Sequence, residues 1–99
     1  MNITATEYHE KRLAAMTPEE RAEFDRASIE SDLALDLAQA IYDARTAAGM
    51  TQAQLAEAMG VTQSYISALE GGGSVPTVPT LAKVAHAVGG SLHVQIAAA

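Results

Sequence analysis

Gln52, Gln63, Ser64 and Ser67 are the side chains of this 99-residue chain whose types and spacing suit the reading of a base edge. A glutamine amide presents a donor beside an acceptor and can meet adenine in bidentate fashion. A serine hydroxyl can bond either kind of edge. Gln52 and Gln63 each follow a threonine, Thr51 and Thr62, at the predicted start of a short helix. Free N–H groups and the helix dipole at such a start suit a phosphate oxygen. The amide of Gln52 can also buttress Gln63. Thr51 and Thr62 belong to the same candidate DNA-binding surface. Tyr65 can reach a phosphate or pack on the neighbouring helix. Arg45 is the best candidate phosphate contact nearby, with a pairing to Asp43 or Glu57 as the alternative.

These side chains need a scaffold, and residues 51–72, TQAQLAEAMGVTQSYISALEGG, describe one. Thr51 caps a helix over Gln52 to Met59, with Gln54 as its capping-box partner. Gly60 supplies the tight turn, where a positive φ is often required. Thr62 caps a second helix, Gln63 to Glu70. Leu55, Ala56, Met59, Val61, Ile66 and Leu69 form the inner wedge, and Ala56 is small where the helices cross. At about 100° per residue, Ser64, Ser67 and Ala68 point outward and Gln63 and Tyr65 lie on the flanks. This is the plan of a helix-turn-helix, whose second helix enters the major groove.

The remaining elements follow from caps and periodicity. Thr6 to Met16 can form a short helix. Thr17-Pro18-Glu19-Glu20 is a strong start signal for a helix from Pro18 to about Ala27 or Glu30, with Ser28 and Ser31 as breaks. A helix over Asp32 to Ala48 is predicted to bury Leu33, Leu37, Ile41 and Ala44 and to stop at Gly49. Residues 71–74 are loop. Thr77 caps a helix over Val78 to Val88, with Leu81, Val84, Ala85 and Val88 inward. Ser91 to Ile96 alternates with period two, which predicts a strand with Leu92, Val94 and Ile96 on one face. A lone strand leaves an unpaired edge. Its expected partner is the same strand of a twofold mate, which makes Leu92, Val94 and Ile96 the candidate dimerisation residues; a partner protein's sheet is the alternative.

Charge divides the chain. The net charge is −6. Residues 1–48 hold ten acids against five bases, whereas residues 49–99 hold only Glu57, Glu70 and Lys83. The acidic segment reads as a solvated helical face or as a surface for a basic partner. Its apolar residues Tyr8, Leu13, Met16, Phe24 and Ile29 are the candidate partner contacts.

Other chemistries find little support. There are no cysteines, hence no disulfide or thiolate metal site. His9, His86 and His93 lack ligand spacing, and neither a nucleophile elbow nor a phosphate loop is present. No catalytic residue, metal site or cofactor is expected. No apolar run is long enough to span a membrane, and the default location is the cytoplasm.

Residues 51–72 closely resemble the helix-turn-helix of the Cro and repressor, or XRE, family. The likeness rests on Thr51-Gln52, Leu55-Ala56, Gly60, Gln63-Ser64, Ile66, Leu69-Glu70 and Gly72. A wider pattern, running from Arg45…Gln52 through Pro76-Thr77…Thr80-Leu81 to Gly89-Gly90-Ser91-Leu92, looks like small HigA-type antitoxins. The resemblance implies an all-α, five-helix-like, lambda-repressor-like domain with an N-terminal helical arm and a short C-terminal dimerisation β-strand. The expected division is a partner-binding arm over 1–30, a DNA-binding domain over 31–90 and a dimerisation tail over 91–99. It implies that Gln52, Gln63, Ser64 and Ser67 contact phosphates or bases of a double-stranded operator. It further implies a homodimer that represses its own operon and neutralises a basic HigB-type mRNA ribonuclease toxin. A stand-alone regulator and a protein-interaction adaptor are the alternatives. The chain departs from its relatives at Ala68 and Gly71, where many carry a basic residue.

Overall fold

A computed structural model describes the backbone of residues 5–98 and the side chains of residues 10–98. Five helices follow one another: α1 Ala5–Ala14, α2 Pro18–Ala47, α3 Gln52–Met59, α4 Gln63–Glu70 and α5 Val78–Ala87. The chain divides into two compact units, Met1–Glu30 and Ser31–Ala99. No described helix is long and apolar enough to cross a membrane.

In the first unit the Thr17 capping box forms. Thr17 N donates to Glu20 Oε2 at 3.1 Å, and Glu20 N donates to Thr17 Oγ1 at 3.2 Å. The expected break at Ser28 or Ser31 does not occur, and α2 runs unbroken for 30 residues. Serine costs a helix only a few tenths of a kcal/mol, and no Gly or Pro lies between Glu19 and Ala47 to interrupt it. Leu13, Met16 and Phe24 are half-buried, and Ile29 is exposed. The side chain of Tyr8 lies outside the described residues.

The core of the second unit is Ile41, Leu55, Ala56, Ile66, Leu69 and Val84, with Met50, Met59, Val61, Leu81, Ala87 and Val88 packed around it. Leu55 and Ile66 are completely buried. The stripe that α2 buries is Ala34, Ala38 and Ile41. Of the expected stripe, Ile41 is buried and Leu37 and Ala44 are half-buried, but Leu33 stays 44% exposed while Ala34 and Ala38 are covered. The reason is close approach. A Cβ on Gly72 would lie 3.7 Å from Ala38 Cβ, so this wall of α2 must be made of small residues where the loop after α4 crosses it.

Gly72 has φ +73°, and a Cβ there would also come within 2.9 Å of Leu35 Cδ2. Leu35 is exposed and can turn aside, so the backbone conformation carries most of the cost of a side chain. Gly72→Ala should destabilise the unit by about 1–2 kcal/mol, measurable by urea unfolding. An unchanged midpoint would mean that the loop readily takes another path.

The end of the chain departs from expectation. No strand is present among the described residues. A strand exists through its ladder of hydrogen bonds, and residues 91–96 form no such ladder with any described segment. The three alternating residues also differ in environment. Leu92 is half-buried, at a groove of about 320 Å³ that Ile41, Leu81 and Val84 also line. Val94 and Ile96 are 72% and 95% exposed.

Candidate nucleic-acid interface

Two capped helix starts build the surface. Thr51 adopts extended backbone, accepts from Gln54 N at 3.1 Å, and donates its own N–H to Gln54 Oε1 at 2.8 Å. α3 closes at Gly60, whose φ of 70° is left-handed. Val61 N then donates to Ala56 O at 3.0 Å, which tightens the turn. Thr62 repeats the cap by accepting from Tyr65 N at 3.1 Å. With Ile66 and Leu69 buried, the rotation of α4 is settled, and Gln63, Ser64, Ser67 and Ala68 all lie exposed.

The result is a shared groove. Gln52, Gln63, Ser64 and Ser67 line one open depression of about 330 Å³. Among the described residues, none of these four side chains has a hydrogen-bond partner. Their amide and hydroxyl groups are therefore available to a ligand, whereas most polar groups around them are committed to caps. Thr51 and Thr62 use their hydroxyl oxygens as acceptors, and each retains an O–H donor. Tyr65 is exposed beside them.

Arg45 sits elsewhere than expected. Its Nε and Nη2 donate to Glu70 Oε2 and Oε1, both at 2.8 Å, and its Nη1 donates to Met50 O at 2.8 Å. The two side chains are only 11% and 6% exposed. The guanidinium also lies 5.2 Å from the ring centre of Tyr42. Hydrogen bonding to Glu70 raises the Arg45 pKa above its usual value, against a desolvation that lowers it. This side chain thus clamps the end of α4 to α2 and to the backbone before α3. It pairs with neither Asp43 nor Glu57, and its fork of donors faces the protein, not a phosphate. The sequence offers one arginine and five acids over residues 31–98, and nothing in their spacing singles out Glu70.

A family model described as helix-turn-helix matches residues 41–94. The chain belongs to the XRE-type helix-turn-helix family. The match takes in the end of α2, all of α3 to α5 and the segment after them. It makes the chain a DNA-binding domain of the kind found in transcription regulators, a family that is typically without enzymatic activity. Comparison with curated proteins and with solved structures finds no match. In the helix-turn-helix plan α4 is the helix that enters the major groove, and the groove of free amides and hydroxyls lies along its first two turns.

Proposed function

We propose that this chain is a transcription repressor that binds a palindromic operator as a homodimer. The observation that carries this reading is the convergence of Gln52, Gln63, Ser64 and Ser67, all free of internal hydrogen bonds, on one groove beside two capped helix starts. A reader of this size covers one half-site, and a twofold mate supplies the second about one helical turn away. Leu92, Val94 and Ile96 are the dimerisation residues in this reading. Val94 and Ile96 already stand exposed, and pairing across a twofold axis would give the segment the ladder it lacks.

The test is selection of bound sequences from a randomised duplex pool at low salt, followed by footprinting. A palindromic footprint is expected, and failure to enrich any sequence sinks the reading. Val94→Pro removes an N–H from the proposed ladder and should shift the dimer toward monomer in sedimentation. An unchanged dimer would place the interface on the helices.

The acidic first half of the chain extends the proposal to a basic protein partner, and the HigA-like pattern makes that partner a HigB-type ribonuclease toxin. Ile29, 67% exposed, is the best of the partner-binding residues. Co-expression with the adjacent reading frame should rescue growth through complex formation, and deletion of residues 1–30 should abolish it. A stand-alone regulator is the second reading. It is favoured by the half-burial of Leu13, Met16 and Phe24, whose apolar surface is partly covered without any partner. Absence of rescue and of a co-purifying basic protein would decide for it.

A further inference from the structure

We infer that the interface reads DNA almost without cationic help, so that its binding depends on groove hydrogen bonds and is only weakly sensitive to salt. The inference rests on the DNA-reading function proposed above. It follows from where the positive charges of residues 31–98 go. The only bases there are Arg45 and Lys83. Arg45 is spent on Glu70 and Met50. Lys83 lines a different groove with Ala58, Met59, Ala82 and His86, sharing none of its residues with the groove of Gln52, Gln63, Ser64 and Ser67. The outward face of α4 ends in Ala68 and Gly71, both uncharged and exposed. Against these stand Asp32, Asp36, Asp43 and Glu57, all exposed.

The physical consequence is specific. Lysine and arginine that neutralise phosphates release condensed counterions, and each contributes about −0.9 to the slope of log affinity against log salt. A protein with six to ten such contacts loses roughly 10³- to 10⁵-fold in affinity between about 50 and 200 mM salt. Here even Lys83 from both readers of a dimer would supply a slope of only about −2. Non-specific binding, which is almost wholly electrostatic, falls away with it. What remains is discrimination by amide and hydroxyl contacts. The chain therefore gains little from sliding on random DNA and much from a matched operator.

The test uses the full chain and the duplex selected above, at pH 8, over about 25 to 250 mM potassium chloride. A slope no steeper than about −2 is expected, which is a loss of at most roughly 16-fold between about 50 and 200 mM. A steeper slope overturns the inference and leaves the DNA-reading function standing. If no duplex is bound even at the lowest salt, the function itself fails. Ala68→Lys places one cation on the outer face of α4. It should steepen the slope by about 2 per dimer and tighten binding at least tenfold at low salt. A slope unmoved by that change would overturn the placement of this face against the phosphates.

Discussion

Glu70→Gln should lower the stability of the second unit by roughly 2 kcal/mol, within the range for hydrogen bonds to a charged group, the pair being part-buried. The change keeps the shape of the side chain and removes its charge. Arg45 then remains beside Met50 O with its guanidinium mostly out of water and no anion opposite it. For a domain of 60–100 residues the loss corresponds to a fall in Tm on the order of 8–16 °C, readable by circular dichroism. Arg45→Met combined with Glu70→Leu should restore much of the loss, because well-packed apolar residues often replace a buried pair without penalty. If Glu70→Gln melts within a few degrees of the native chain, the pair is a surface ornament and the anchoring of α4 lies in Ile66 and Leu69 alone.

Gln63→Ala should leave folding untouched and cripple operator recognition. Gln63 is exposed and has no hydrogen-bond partner among the described residues, and alanine suits the first turn of a helix. A bidentate contact is worth about 1–3 kcal/mol of discrimination. With two readers on a palindrome, about 2 kcal/mol each gives a loss of roughly 10³-fold. The loss should appear on the selected operator and be nearly absent on random duplex, as fluorescence anisotropy would report. Equal losses on both would make Gln63 a backbone contact and not a base reader. The contrast with Glu70→Gln is informative, since that change lowers Tm and this one does not.

How much of this was legible in advance depends on the range of each interaction. The caps at Thr17, Thr51, Thr62 and Thr77 could be read directly, because a cap and the N–H that donates to it lie three residues apart. The inner wedge of Leu55, Ala56, Ile66 and Leu69 was legible for the same reason: two short helices and a glycine turn leave few ways to pack. The continuity of α2 through Ser28 and Ser31 was not legible, because a serine that costs only tenths of a kcal/mol marks a break no more than it marks a continuation.

The sequence by itself determined the helical starts and stops, the inward side of α3 and α4, and hence the four polar side chains left facing out. Each of these follows from interactions within a turn or two of the chain. Tertiary structure decided that Leu33 stays exposed and Ala38 is covered, since periodicity cannot show that the loop at Gly72 approaches Ala38. It decided the fate of Arg45, whose partner lies 25 residues away and is found only when α2 and α4 are brought together. It also decided that residues 91–96 carry no ladder within one chain, because alternation assigns side chains to faces but cannot provide the strand that a ladder needs.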